Sequence, residues 1–295
     1  MKNVWFGFPL FSELPFEVVK NRKRFYTVSI VIILVGFLFM GINYTRYHEP
    51  LNLGVDFSGG VVFTITLPED KSASDLTKIA VEVGIHDPIV RKSGANEYEL
   101  RAKIDEAALP TIRESLQASA SVTDENFVGP SVAGSLIKNA ILSLAVALLA
   151  LLVYISVRFR FKYGLAAVLA LVHDVLVTVS IFAIFFIPIN SPFVAVLLIL
   201  VGYSLQDSIV VLDRVRENRK LNSKASAADV VEAAIHSVFR RSLNTSITTL
   251  IAAVCLMIFA YRFLPDFTTG LTVGLITGTY SSIFIAASLL VDWGE

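Results

Sequence analysis

Residues 191–218 read SPFVAVLLILVGYSLQDSIVVLDRVREN. The run from Phe193 onward is apolar enough to enter a bilayer, yet Asp207 lies within it, before Asp213 opens the charged DRVREN segment. An Asp at mid-bilayer costs roughly 2.5–3.5 kcal/mol even on lenient insertion scales, so such groups face a bundle interior, a water path or a proton relay. The stretch therefore predicts a membrane helix built around a protonatable carboxylate, in a proton-coupled membrane machine.

The rest of the chain fits that setting. Of 295 residues, 55% are hydrophobic and the formal net charge is zero, with a mean hydropathy of +0.68. Apolar runs of about 20 residues, the length needed to span a bilayer, fall at 25–44, 136–157, 164–187, 193–213, 239–261 and 268–291. Basic residues crowd three places: Lys20, Arg22, Lys23 and Arg24; Arg158, Arg160 and Lys162; and Arg214, Arg216, Arg219, Lys220 and Lys224. All three fall on one side of the predicted bundle, whereas the opposite connections, Pro188–Pro192 and Tyr261–Asp266, carry only Arg262. The positive-inside bias then puts both termini in the cytoplasm and the polar insert outside.

The expected organisation is a cytoplasmic segment 1–24, a first membrane helix 25–44, an extracytoplasmic α+β domain 45–135, membrane helices two to six within 136–291, and a cytoplasmic end at 292–295. The first apolar run lacks a small-residue cleavage site and reads as an anchor rather than a cleaved signal. Upstream, Trp5, Phe6, Phe8, Phe11 and Phe16 suit either an interfacial segment or a disordered one. The charge distribution gives nucleic-acid binding little support. Cys255 has no partner for a disulfide and is predicted to be a small core residue.

The insert alternates in VVFTITL (a strand), continues through SASDLTKIAVEVG (a capped helix) and DPIVRKSGANEYELRAKI (a hairpin turning at Gly94 and Asn96), and ends with DEAALPTIRESLQASA (a second helix) before a strand near Phe127. This β-α-β-β-α-β order is that of the ferredoxin-like split βαβ, with Pro110 predicted to break the second helix early. The insert shows no metal-ligand cluster, nucleophile motif or phosphate loop, so it is expected to bind or move rather than catalyse.

Further polar residues mark the membrane runs. Ser237, Arg241, Asn244, Thr245 and Thr248 recur every three or four residues and share a helical face. Hydroxyls in membrane helices also bond their own backbone, but Arg241 in this stripe is expected to point inward, toward Asp207. His173 and Asp174 lie deep in the third run, where they either relay protons or fix the bundle by interhelical hydrogen bonds. Adjacent helical residues point about 100° apart, so the two are not expected to face one partner. Asp213 is expected at the interface, paired with nearby arginines. Gly270, Gly274 and Gly278, followed by Ser281 and Ser282, form a small-residue stripe for close helix approach. In GVDFSGG, residues 54–60, Gly59 and Gly60 permit either a hinge or a rigid turn in which Asp56 accepts a local backbone bond.

GVDFSGG, VGPSVAGSL before the second run, LVHDVLVT, VGYSLQDSIVVLDRVREN, RRSLNTSITTL and GLITGTYSSIFIA occur in an order that resembles the SecF family, subunits of the bacterial Sec protein-export apparatus. The resemblance implies a six-helix half-transporter bundle related to resistance-nodulation-division exporters, with a small ferredoxin-like extracytoplasmic domain. It implies partnership with SecD, work beside the SecY/SecE/SecG translocon and SecA on preproteins, with YidC and YajC as further neighbours, and location in the cytoplasmic membrane. It implies no cofactor or metal and a coupling ion, H+. Asp207 matches the family's proton site, and Arg241 the Arg of its fifth-helix motif. Gln206 departs from the pattern, which usually has Asn before this Asp; the longer amide arm is expected to alter the helix contact. A structural scaffold and a small-molecule exporter of the related fold are the competing classes. An enzyme has least support, since nothing arranges a nucleophile, a base and an oxyanion site.

Overall fold

The computed structural model describes residues 17–68, 71–86, 88–104, 106–261 and 264–294. The aromatic residues Trp5, Phe6, Phe8, Phe11 and Phe16, and Arg262 of the outer connection, lie outside the described residues. Among the described residues, six helical segments are long and apolar enough to cross a membrane. They are α1 (Val18–Tyr47), α5 (Pro130–Arg158), α6 (Phe161–Ile184), α7 (Ser191–Leu221), α8 (Ala227–Ala260) and the segment Pro265–Asp292. The last divides into α9 (Pro265–Ser281), a π-helical turn (Ser282–Ala286) and α10 (Ala287–Asp292).

The bundle has a centre and a rim. Half or more of the most apolar window of α6, α7 and Pro265–Asp292 is buried, against 11% in α1, 6% in α5 and 11% in α8. Cys255 of α8 belongs to that rim and is exposed rather than in the core. Close approach at the centre comes from the glycine stripe. A Cβ on Gly270 would touch Phe193 and Val196, one on Gly274 would overlap Leu200, and one on Gly278 would press on Ser204, so three successive turns of α9 lie directly on α7. At 31 and 34 residues, α7 and α8 are about 46 and 51 Å long, well beyond a hydrocarbon core of about 30 Å, so their charged ends project from it. On that basic side Glu232 of α8 accepts the backbone N–H groups of Val18 and Val19, both at 2.7 Å. A carboxylate from a distant helix thus satisfies the orphan donors at the start of α1.

Between α1 and α5 the chain forms a short helix α2 (Val55–Ser58), then β1 (Gly60–Thr66), α3 (Ala73–Glu82), β2 (Ile89–Lys92), β3 (Glu97–Ala102), α4 (Leu109–Ser119) and β4 (Ser121–Val128). The strands form one sheet in the order β2-β3-β1-β4, antiparallel throughout. This is the ferredoxin-like arrangement that the element order predicts. Val61, Phe63 and Ile65 of β1 and Leu100 of β3 point to one face, where they pack with Leu76 and Ala80 of α3 and Leu116 of α4. Ser72 caps α3, its N–H donating to the Asp75 carboxylate at 3.0 Å; that hydrogen bond holds the Asp75 carboxyl below its usual range. Pro110 does not break α4. It lies in the first turn, where a missing N–H leaves no bond unmade, so the helix starts at Leu109 and Glu106, Ala107 and Ala108 stay outside it.

Candidate functional site

Among the described residues three carboxylates lie buried in the membrane helices, Asp174, Asp207 and, in the first turn of α9, Asp266; Asp174 and Asp207 lie deep in the bundle, and α7 touches both. Asp174 of α6 is the more fully bonded. Its Oδ2 accepts from Ser204 Oγ of α7 at 2.6 Å and from Ser281 Oγ of α9 at 2.8 Å. Its Oδ1 meets His173 Nδ1 at 3.0 Å, and His173 Nε2 meets Ser29 Oγ of α1 at 2.8 Å. Since a carboxylate only accepts, Nδ1 carries the proton toward Asp174, and in the neutral ring Nε2 accepts from Ser29. Tyr280 stacks on the imidazole at 6.0 Å, and its hydroxyl donates to Phe25 O at 2.8 Å. Four helices therefore meet at the His173–Asp174 pair. The π-helical turn starts directly after Ser281, so the wider winding begins at the residue that reaches Asp174. His173 and Asp174 bond each other, and each has its own interhelical partners, Ser29 for the imidazole and Ser204 and Ser281 for the carboxylate, as their 100° separation predicts.

Asp207 lies one turn beyond Ser204 on α7 and is 5% exposed. Its Oδ2 accepts from Ser246 Oγ of α8 at 3.3 Å. Arg241 forms no ion pair with Asp207, although its charge lies near enough to act on that carboxylate. It is exposed on the rim of α8, where with Val210, Asp213, Arg214, Glu217 and Ser237 it lines a crevice of about 350 Å³ between α7 and α8. The crevice begins one turn below Asp207. Arg214 Nε donates to Ser237 Oγ at 3.1 Å, and Asp213 approaches Arg216 at 4.0 Å. Asn244 and Thr248 share the outward face with Arg241, and Thr245 bonds back to Arg241 O at 2.9 Å. The polar residues of α8 that are buried are Ser242 and Ser246, about 100° round the helix from the polar stripe. Gln206 is exposed and contributes to the outer side of α7, not to the Asp207 pocket.

The sequence matches the family described as "Protein export membrane protein SecD/SecF, C-terminal" over residues 109–295, and the "SecD/SecF GG Motif" over residues 48–67. The protein translocase subunit SecF of Sebaldella termitidis is 35% identical over 284 residues, covering 93% of this chain and 90% of that relative. The chain belongs to the SecF family. A second SecF, from Rhodothermus marinus, is 34% identical and covers 96% of this chain and 94% of its own length. Among solved structures, SecDF of Thermus thermophilus, a translocon-associated membrane protein, superimposes with a TM-score of 0.82 at 27% identity over 98% of this chain. This SecF-family chain spans only 39% of that SecDF chain. A SecDF structure in a super-membrane-facing form aligns over 97% of this chain with a TM-score of 0.67.

The GG-motif segment forms part of the boundary of the bundle on the side of the sheet. Leu53 bridges Ile189, Gly54 N donates to Ile189 O at 2.8 Å, and Ile189 N donates to Asn52 O at 2.8 Å. Asp56 is no local acceptor. Its Oδ2 takes the N–H of Ser191, the first residue of α7, at 2.8 Å. Gly59 and Gly60 have φ of 71° and 111°, and a Cβ on Gly60 would press against Ala102 O, so the pair makes a tight turn into β1. Sequence reasoning missed Ser29, Ser204, Ser246, Glu232 and Asp266. Of these, Ser246 stands within the quoted RRSLNTSITTL motif, one residue after Thr245 and two before Thr248 of the stripe, and only helical phase relative to Asp207 distinguishes it.

Proposed function

We propose that this chain is the SecF half of a proton-driven export machine, paired with SecD in the bacterial cytoplasmic membrane with both termini in the cytoplasm. It would act beside the SecY/SecE/SecG translocon and SecA on preproteins emerging on the outer side, with YidC and YajC as neighbours. The observation that carries this reading is Asp207: a carboxylate buried in the membrane bundle and held by a single hydroxyl from a rim helix. Protons from outside neutralise Asp207. That weakens its attraction to Arg241, or to a SecD group beside it, and frees α8 to shift against α7.

Asp174 holds the fixed side of this device, tying α1, α6, α7 and α9 together through His173, Ser29, Ser204 and Ser281. Arg241, Asn244 and Thr248 support a partner on the rim of α8, because an exposed charged and amide-bearing stripe is costly against lipid and suits a second half-bundle. The longer SecDF chain supports the same pairing, with SecD supplied either as a separate subunit or as the other half of a fused chain.

The test is preprotein completion in vesicles that contain the translocase, SecD and either the native chain or Asp207→Asn. Loss of the gradient-dependent component with the complex still assembled is the expected result. Undiminished gradient-dependent stimulation by Asp207→Asn refutes proton coupling at this site and leaves a scaffold.

A further inference from the structure

The start of α7 is bonded from two directions. Asn190, its N-cap, donates its N–H to Asp266 Oδ2 of α9 at 3.0 Å, and Ser191 donates to Asp56 Oδ2 at 2.8 Å. Pro192 has no N–H, and Phe193 N reaches Asn190 O at 3.0 Å. Each first-turn donor thus has its acceptor, and both side-chain acceptors are carboxylates, which the N-terminal end of the helix dipole favours. The two carboxylates come from different bodies. Asp266 begins α9, which packs along α7 through the glycine stripe. Asp56 belongs to the segment from which the outer sheet grows.

From Asp56 to the sheet the path is short and stiff. Asp56 lies in α2, whose last turn closes with Gly59 N donating to Val55 O at 2.9 Å. Gly59 and Gly60 follow, and Gly60 is already the first residue of β1, the strand flanked by both β3 and β4. Behind Asp56, Gly54 lies so close to α7 that a Cβ there would overlap the Asn190 side chain. A second strap comes from β3, where Arg101 Nη1 donates to Asn52 Oδ1 at 3.3 Å, and Asn52 Nδ2 in turn donates to Phe186 O at 2.9 Å. In the other direction Asp207 stands sixteen residues, or about 24 Å of helix, along α7 from Ser191.

We infer that Asp56 is the residue through which α7 drives the outer domain: its carboxylate fastens the base of the central strand to the helix carrying Asp207, so a displacement of α7 moves the sheet. The inference rests on the proton-driven reading above and adds the point at which motion leaves the membrane bundle. A carboxylate that merely stabilised α7 would be replaceable by any other fastening of that helix end. A transmission contact is replaceable only by one that joins α7 to the residue 52–60 segment.

The experiment uses the full chain with SecD and the translocase in vesicles, in a Cys255→Ser background. Asp56→Ala is compared with the Gly54→Cys/Asn190→Cys pair, whose closeness suits a disulfide between the segment and α7, and with the triple combination. Asp56→Ala is expected to lower gradient-dependent export by about twofold to thirtyfold, the span typical of substitutions along a coupling path, while proton flux into the vesicles persists. The oxidised Cys pair should restore export to the Asp56→Ala chain, and reduction should remove the gain. Gradient-dependent export undiminished in Asp56→Ala overturns the inference. So does its abolition by the disulfide in a chain that retains Asp56, since the two parts would then have to separate. If Asp56→Ala does not accumulate, the disulfide arm alone decides by that same criterion. Asp207→Asn, run in parallel, reports on the proton-driven reading independently, because it removes proton flux as well as export.

Discussion

Replacing Asp174 by Ala and by Asn separates its bonding from its charge. Ala leaves Ser204 Oγ, Ser281 Oγ and His173 Nδ1 without the oxygen they meet at 2.6, 2.8 and 3.0 Å. Interhelical hydrogen bonds in membrane bundles average about 0.6 kcal/mol and reach about 1.7, so the two serine bonds total about 1–3 kcal/mol, and the His173 bond within α6 is lost with them. Asn is a gentler change. Both serines bond the same oxygen, Oδ2, so an amide with its oxygen there keeps them both, and its NH2 then faces His173 Nδ1. The imidazole accommodates this by moving its proton to Nε2, with Ser29 Oγ becoming an acceptor. Asp174→Asn is therefore expected to lose no more than about 1 kcal/mol, one bond's worth, and to keep gradient-dependent export. The assays are unfolding of the purified chain in mixed detergent micelles and preprotein completion in vesicles. Ala as stable as the native chain would refute the bonding account. Asn that is fully stable yet loses the gradient-dependent component would make Asp174 a titrating participant rather than an anchor.

Arg241→Met should abolish gradient-dependent export and Arg241→Lys reduce it less, since the exposed Arg241 makes no bidentate pair within the described residues and works by charge; equal loss in the two would indicate fork geometry. Ser246→Ala removes the one hydroxyl on Asp207 and should shift the pH at which export is half-stimulated while leaving assembly intact, whereas an unmoved pH profile would detach Ser246 from the site. Gly274→Ala drives a methyl into Leu200, an overpacking expected to cost about 1–3 kcal/mol in the same unfolding assay. In a Cys255→Ser background, Lys71→Cys should react with an impermeant maleimide from outside and Ser223→Cys only from the cytoplasmic side; the reverse pattern would invert the proposed orientation.

The pleated sheet could be read from sequence because its information is local. Alternation in VVFTITL fixes which residues of β1 face α3 and α4, and the turn at Ser93–Asn96 fixes the hairpin. The polar side of α8 could not be read so directly, because α8 is polar on two faces. Arg241, Asn244 and Thr248 form a stripe by spacing, and Ser242 and Ser246 form another about 100° away. Spacing alone does not say which faces Asp207; only the rotation of α8 against α7 does. The long-range caps were hidden for a different reason. Asp56 and Glu232 bond helix starts 135 and 214 residues away in sequence, and a carboxylate in a loop or on a helix carries no mark of which distant N-terminus it will meet. Pro110 was ambiguous because proline interrupts a helix interior and opens a first turn equally well. Only the position of Leu109 as the helix start distinguishes the two.

The magnitudes indicate where such a device would yield. One proton crossing roughly 150 mV releases about 3.5 kcal/mol, enough to bias a two-state element by a few hundredfold. The contact between Asp207 and Ser246 is a single long bond at 3.3 Å, in a class whose members contribute about 0.6–1.7 kcal/mol. One proton exceeds that at least twofold. The Asp174 centre joins three further helices through Ser204, Ser281 and, by way of His173, Ser29, and at about 2–5 kcal/mol it is comparable to the whole of the proton's energy. It is reinforced by the glycine stripe, in which α9 lies on α7 over three turns. Arg214 Nε also donates to Ser237 Oγ across α7 and α8 at 3.1 Å, but at an exposed position; at the depth of Asp207 the same input therefore favours slippage of α8 against α7 over opening of the α1–α6–α7–α9 body. Because the outer end of α7 is fastened to the GG segment by Asp56 and to α9 by Asp266, that slippage would carry the outer sheet with the larger body, and α8, with its exposed Arg241, would be the element left to move with the partner.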